Sequence, residues 1–321
     1  MTSKINVFDS TNEIKWCPGC GDYAILATVK RTLNNLNIQN NNVVFVSGIG
    51  CAGRLPYYIN TNGFHTLHGR APAIATGLKI TRPDLQVWIV IGDGDGFSIG
   101  LGHTLHLIRR NLNVNVLFIN NKIYSLTKGQ YSPTSKKNFI TKSSPRGSIE
   151  NNINPLSLVS AAGGTFIART IDTDITTLSN IIEKAIKHKG TSFIEVLQNC
   201  NIFNDKAYDR FKNKENKNDN VIMLEDKMPL IFGSTKKKAL IIKNLKLDII
   251  DYNFNSTDIL FHDQYNENIT QKILADINDD NEDFPLPLGI LKSVTKPTYD
   301  DEYHNKTSNK ESITNLTHIF K

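Results

Sequence analysis

No apolar run in this sequence approaches the ~20 residues that span a bilayer. The N-terminal stretch MTSKINVFDSTNEIK is polar and lacks the apolar segment of a secretion signal. These two absences lead us to expect a soluble, cytoplasmic chain that does not enter a membrane. Cysteine is scarce, at 4 in 321 residues. In a reducing compartment so few cysteines point to metal ligation rather than to disulfides. They fall as one C-x-x-C pair, Cys17 and Cys20, and two remote singles, Cys51 and Cys200. Also missing is a basic stripe interleaved with aromatics. The net charge of +6 is spread along the chain, and its densest stretches, STKKKAL and DRFKNKENKNDN, read as solvated surface or loop. Nucleic acid is therefore not an expected partner.

What the sequence does have is alternation. Residues 22–36 set Ala24, Ile25, Ala27, Val29 and Leu33 among polar positions, as a helix does. NNVVFVSGIG and QVWIVIGDGDG are apolar runs ending in glycines, the pattern of buried strands followed by tight turns. GRAPAIATGLKI, SIGLGHTLHLIRRN, NPLSLVSAAGG and DITTLSNIIEKAIKHKG read as helices, and VNVLFINN, TFIART and TSFIEVLQNC as strands. This order predicts an α/β fold, a mostly parallel sheet with helices on both faces. Right-handed crossovers then put the strand C-termini along one edge, where ligands bind. SGIGC, IGDGDG, INNKIY and LQNC all fall there. We read residues 1–205 as this domain. Residues 206–321 hold a linker-like NDKAYDRFKNKENKNDN, a candidate hairpin in KALIIKNLKLDII and a charged tail from DDNEDF onward. They read as an extension that wraps the domain or meets a partner.

A glycine-rich turn before a helix brings backbone amides close to a phosphate. Here the turn also carries Asp93 and Asp95, which would repel a diphosphate unless a divalent cation lay between them. Magnesium takes about six oxygens in an octahedron. Asp93 can give one, the Asn121 amide another and the Ile123 carbonyl a third. The plainer alternative is an ordinary tight turn and an asparagine pair in an Asn-rich sequence. Their occurrence on successive strand ends favours the cation. For the cysteines, four thiolates suit an iron–sulfur cubane. Zinc is the alternative, although zinc sites commonly use two C-x-x-C pairs.

Gly92-Asp93-Gly94 followed by Asn120-Asn121 resembles the thiamine diphosphate and magnesium motif of thiamine-dependent enzymes. Together with WCPGCGDY, GIGCAGRLPYY, HTLHGRAPAIATGLK, IRRN, NNKIYSLTKGQYSPTS and SFIEVLQNCNIFND, it resembles the β subunit of 2-oxoacid:ferredoxin oxidoreductases, most of all the bacterial 2-oxoglutarate type. The resemblance runs from residue 15 to about residue 208. It implies a thiamine-diphosphate-binding fold and oxidative decarboxylation of a 2-oxoacid to acyl-CoA and carbon dioxide. Electrons would leave through a [4Fe-4S] cluster to ferredoxin.

By the same resemblance, Asp93, Asn121 and Ile123 hold Mg2+, and Gly92, Gly94 and Asp95 line the diphosphate. Ile49, Gly50, Cys51, Ala52, His68 and Leu126 flank the cofactor, and Cys17, Cys20, Cys51 and Cys200 ligate the cluster. Arg54 and Lys128 are candidates for meeting the substrate carboxylate or a coenzyme A phosphate. Arg54 has the bidentate fork that suits a carboxylate. His65, His103 and His106 read as packing or capping residues. The chain departs from the pattern at Gly100-Leu101-Gly102-His103, where Gly-Gly-Asn-His is common, and at Ser125, where glycine is common. The glutamate that serves the cofactor's aminopyrimidine is expected from a partner α subunit, so this chain by itself is expected to be an incomplete enzyme. The alternatives are a pyruvate-type or broad-specificity enzyme, an electron-transfer module without the thiamine cofactor, and a thiamine-dependent decarboxylase with a structural zinc.

Overall fold

The computed structural model describes residues 6–308 other than 214, 254, 255 and 257. The chain opens with helix α1 (Asp22–Asn35) and then alternates: strand β1 (Val43–Ser47), β2 (Asn62–His65), α2 (Ala71–Thr81), β3 (Gln86–Gly92), α3 (Leu101–Arg110), β4 (Asn115–Asn120), α4 (Pro155–Ala161), β5 (Phe166–Ile171), α5 (Ile175–Lys187) and β6 (Ser192–Leu197). Two single-turn helices follow, α6 (Asp209–Lys212) and α7 (Lys217–Asn220). Next come the short strands β7 (Val221–Met223), β8 (Ile231–Phe232), β9 (Lys238–Lys243) and β10 (Lys246–Asp251). Helix α8 (Ile269–Asp276), strand β11 (Leu286–Ser293) and helix α9 (Tyr299–Ser308) complete the run.

Among the described residues the main sheet has eight strands in the order β2-β1-β3-β4-β6-β5-β11-β7. From β2 to β5 every pairing is parallel, so the expected α/β architecture is present. Strands β1, β4, β5 and β6 are buried along their whole length. Their near-continuous Val, Ile, Leu and Phe runs explain this, because both faces are covered. Val44, Val46, Ile89, Ile91, Val116 and Phe118 meet one core layer, with Ala75 of α2, Leu107 of α3, Leu156 of α4 and Leu274 of α8. Val43, Phe45, Trp88, Val90, Leu117 and Ile119 meet the other, with Ile25 and Val29 of α1 and Ile181 and Ile182 of α5. Each such fully buried aliphatic or Phe side chain stabilises the fold by about 1.5–3 kcal/mol. The two cores therefore fix the frame from which the loops project.

Several elements were not legible beforehand, β2 and β11 among them. Strand β2 is a short, exposed edge strand paired with β1; TNGFH has neither an apolar run nor alternation. Strand β11 lies inside the tail read as poorly patterned, yet it is buried, runs antiparallel to β5 and carries β7 on its far side. The segment after residue 205 thus extends the main sheet. The hairpin expected in KALIIKNLKLDII does form, between β9 and β10. Asn244 and Leu245 both have positive φ there, the two-residue geometry that matches strand twist. Among the described residues, no helix is long and apolar enough to cross a membrane.

Candidate functional site

Strand β1 has β2 on one side and β3 on the other, so the chain reverses its direction of travel across the sheet there, where open α/β sheets bind ligands. A pocket of about 100 Å3 lies at the C-terminal ends of β1, β3 and β4. The loop after β1 brings Ile49, Gly50, Cys51 and Ala52, the loop after β2 brings His68, and the turn after β3 brings Gly92, Asp93, Gly94 and Asp95. The segment after β4 brings Asn121, Ile123 and Leu126, together with Tyr124, Ser125 and Thr127. All the cofactor-flanking and magnesium candidates therefore share one cavity.

The two turn aspartates are used differently. Asp93 is buried, and its Oδ2 accepts a hydrogen bond from Thr134 Oγ1 at 2.8 Å. Burial pushes its pKa up, against the hydroxyls of Ser132 and Thr134. A divalent cation would supply the compensation that hydroxyls cannot. Asp95 instead gathers the surrounding loops. Its Oδ1 accepts from Ile49 N at 3.0 Å and Gly69 N at 2.8 Å, and lies 2.5 Å from His68 Nδ1. It lines the pocket and also ties the β1 and β2 loops to the turn. From Asp95 to Ile99 the chain is wound as one wide π turn before α3 begins, a distortion that recurs at functional sites.

Gly94 has no room for a side chain, since a Cβ would lie 2.1 Å from the Tyr124 ring, whose Oη donates to Gly94 O at 3.2 Å. At Gly50 the constraint is conformational: φ is +118°, which L side chains rarely adopt. Asn121 is buried, and its Oδ1 accepts from Ile123 N at 3.2 Å. Asp93, Asn121 and Ile123 offer a carboxylate, an amide and a backbone carbonyl, an all-oxygen set of the kind that would suit magnesium. Among the described residues, no three His, Cys, Asp or Glu side chains group as a metal site.

All four cysteines are free; Cys17 is exposed, Cys20 and Cys51 are half-buried and Cys200 is buried. Burial pushes the Cys20 thiol well up, with Asp22, Cys51 and Cys200 adding to the rise. Burial also raises Cys51, against a hydrogen bond from Ser125, and Asp22, Cys200 and Cys17 add to that rise. Cys51 thus lies within electrostatic reach of Cys17, Cys20 and Cys200, although among the described residues no three of the four group as a metal site. Cys51 belongs to both neighbourhoods. It lines the pocket, its carbonyl accepts from Trp16 Nε1 at 2.9 Å and its Sγ accepts from Ser125 Oγ at 3.1 Å. The Cys20 and Cys51 thiols, both raised by burial, are of a kind that a thiophilic metal would deprotonate on binding.

Arg54 and Lys128 separate in space. Arg54 lines a second, more open pocket that shares Gly50 and Leu126 with the first, and its Nε donates to Tyr58 Oη at 3.0 Å. Lys15 and His65 line that pocket too. Lys128 is exposed, has positive φ and lines neither pocket. His65 is exposed, with Nδ1 2.9 Å from Gly53 O. Sequence reasoning missed Thr134, Ser132 and Asp22. Single hydroxyls and one acid leave no periodic signal.

Residues 48–196 match the family model for the thiamine pyrophosphate enzyme C-terminal TPP-binding domain. The chain is 45% identical to the 2-oxoglutarate oxidoreductase subunit KorB of Mycobacterium tuberculosis over 92% of its own length and 79% of that protein. It is 47% identical to the 2-oxoacid:ferredoxin oxidoreductase 1 subunit beta of Aeropyrum pernix, over 59% of this chain and 60% of that one. Among solved structures, the 2-oxoglutarate:ferredoxin oxidoreductase from Magnetococcus marinus, with 2-oxoglutarate, coenzyme A and succinyl-CoA bound, superposes with a TM-score of 0.76 at 30% identity, covering 97% of this chain and 93% of that chain.

Proposed function

The chain belongs to the family of 2-oxoacid:ferredoxin oxidoreductase β subunits, and on that premise we propose that it is the thiamine- and cluster-bearing subunit of a 2-oxoglutarate-type enzyme. The reaction is oxidative decarboxylation of a 2-oxoacid to acyl-CoA and carbon dioxide, with electrons passed to ferredoxin. When bound, thiamine diphosphate supplies the electron sink for decarboxylation and a 4Fe-4S cluster supplies the one-electron relay.

The residues of this chain have distinct tasks in that reading. Asp93, Asn121 and the Ile123 carbonyl hold Mg2+, which carries the diphosphate past the acidic turn. Gly92 and Gly94 admit the diphosphate to the backbone, and Asp95 fixes the loops that carry Ile49–Ala52 and His68 around the cofactor. Cys17, Cys20, Cys51 and Cys200 would ligate the cluster, and of these Cys51 lines the pocket. Arg54, in the adjoining open pocket, pairs with a substrate carboxylate. Lys128, on the exposed loop nearby, is left for the substrate carboxylate or a coenzyme A phosphate. The acid for the aminopyrimidine comes from a partner α subunit, since the pocket's own carboxylates are Asp93 and Asp95. Cysteines kept reduced and available as cluster ligands suit a cytoplasmic setting.

The observation that carries this reading is the single cavity uniting the acidic turn, the Asn121 segment and Cys51. The test is anaerobic co-expression with the α subunit, followed by coenzyme A-dependent viologen reduction with 2-oxoglutarate and pyruvate in parallel. We expect faster reduction with 2-oxoglutarate and about four iron and four acid-labile sulfide per chain. Faster turnover of pyruvate would reassign the substrate. Zinc in place of iron would favour the non-oxidative decarboxylase, and no reduction with any 2-oxoacid would end the proposal.

A further inference from the structure

Asn121 faces the pocket, and its two neighbours are held from the opposite side. Asn120 Nδ2 donates to Glu195 Oε1 at 2.9 Å, and Arg169 Nε donates to Glu195 Oε2 at 2.6 Å. Arg169 Nη1 in turn donates to Ile277 O at 2.7 Å. Lys122, buried and in the left-handed conformation at φ 57°, places Nζ 2.5 Å from Asp279 Oδ2 and 2.7 Å from Asp280 Oδ1. Asp280 also accepts from Asn152 Nδ2 at 2.6 Å. The Lys122 carbonyl is held by Ser135 Oγ at 2.6 Å, and the Asn121 carbonyl by Asn204 Nδ2 at 2.9 Å. Thr134 Oγ1, which donates to Asp93, lies 2.9 Å from Asn120 Oδ1 and so connects the two sides.

One turn of the C-terminal segment, residues 277–280, therefore reaches both flanks of Asn121. It reaches Asn120 through Arg169 and Glu195, and Lys122 through two carboxylates. A lysine buried between two carboxylates cannot swing away without exposing an uncompensated charge. Its backbone is left-handed at φ 57°, a conformation that non-glycine residues adopt uncommonly. These contacts over-determine the peptide planes on either side of Asn121 and so the direction of its side chain.

We propose that the 277–280 turn, acting through Lys122, is the positioning element of the magnesium–diphosphate loop, and that it sets cofactor affinity without touching the cofactor. The inference rests on the thiamine–magnesium reading of the pocket and gives the C-terminal segment a role in that site. Lys122, Asp279 and Asp280 are positioning residues, not catalytic ones.

The test uses the complete α/β complex. Thiamine diphosphate binding is measured by calorimetry across Mg2+ concentrations, and the apparent KM for Mg2+ and for thiamine diphosphate is measured beside kcat at saturation. Outer-shell partners of metal ligands commonly carry 10–100-fold in affinity. Lys122→Met is therefore expected to raise the cofactor and Mg2+ constants at least about tenfold, with kcat at saturation within about twofold of the parent. Lys122→Arg, which keeps the charge, should recover most of the affinity, and Asp280→Asn should give a smaller rise than Lys122→Met. A folded Lys122→Met complex with unchanged cofactor constants would overturn the inference. If Lys122→Met does not fold, Asp280→Asn decides in its place, and unchanged constants there would overturn the inference equally. A parent complex that binds no thiamine diphosphate would instead remove the reading of the pocket itself, so the two failures are distinguishable.

Discussion

Two buried acidic neighbourhoods flank the end of β4, and they are built on opposite principles. In front, Asp93 forms no ion pair among the described residues, and hydroxyls are its main side-chain partners. Behind, Glu195 is paired with Arg169 and the side chains of both are about 2% exposed, while Lys122 serves Asp279 and Asp280. Burial works to lower the pKa of Lys122, but the two carboxylates outweigh it and hold the pKa above the ordinary lysine value. Asp279, the deeper of the two, is nonetheless pushed up by burial. The contrast separates two uses of buried charge. A carboxylate left without a basic partner tends to mark a place for a cation. A fully paired set specifies one arrangement of the backbone, and its worth lies in geometry more than in net stability.

The largest effect should come from breaking the paired side. Arg169→Met leaves Glu195 buried without its basic partner, at a cost of about 3–5 kcal/mol. For a chain of this size that lowers Tm by roughly 10 °C. The double change Arg169→Met with Glu195→Leu should recover most of the loss in thermal denaturation. A single variant that melts within about 2 °C of the parent would refute the buried pair's importance.

Breaking the unpaired side should do the reverse. Asp93→Asn removes a buried carboxylate with no cationic partner, so the protein without cofactor should melt no lower than the parent at pH 7. Thiamine diphosphate affinity in the presence of Mg2+ should nonetheless fall about 100-fold or more. Calorimetry on the same samples gives both readouts, and loss of stability together with loss of binding would contradict the contrast.

A control lies at the other end of the sheet, away from both neighbourhoods. His188 is partly buried with Nε2 3.0 Å from Thr165 Oγ1, and burial pushes its pKa down to about 4. A histidine depressed in the folded state contributes stability above its unfolded value near 6.5. That stability is lost as pH falls from 6.5 toward 4. Replacing His188 with Gln should flatten this pH dependence by about 1–2 kcal/mol, discounted for partial exposure. Denaturant titrations at pH 7 and 4.5 measure it, and identical slopes in the two proteins would exclude His188 as the source. The smallest effect is expected at Ser125, whose hydroxyl donates to Cys51 Sγ. Because hydrogen bonds to sulfur tune cluster potentials, Ser125→Ala should lower the reduction potential modestly. Redox titration followed by electron paramagnetic resonance is the check. An unchanged potential would mean that the hydroxyl does not act on the cluster.

Most of the frame was legible because its signals are local. Buried parallel strands are continuous apolar runs, and each ends in glycines or asparagines that the next turn requires. Gly92–Asp95 and Asn121 could be placed on one edge by counting strands, and Cys51 followed from its place after β1. Strand β2 was hidden because it is exposed and short, and β11 because its LPLGILKS run sits between charged stretches and pairs antiparallel to a distant strand. Thr134 and Asp22 were hidden because one hydroxyl or one acid in a loop carries no period.

The sequence by itself determined the strand–helix alternation, the edge on which the glycine-rich turns fall and the donor types they present. Each of these depends on residues close together in the chain. Tertiary structure alone decided which charges meet. Lys122 lies 158 positions from Asp280 and 157 from Asp279. In a chain with 37 basic and 31 acidic residues, charge itself names no partner. Only the packing of α8 on the sheet and the addition of β11 to it bring these groups to low dielectric, where an ion pair must form or the charge must be given up.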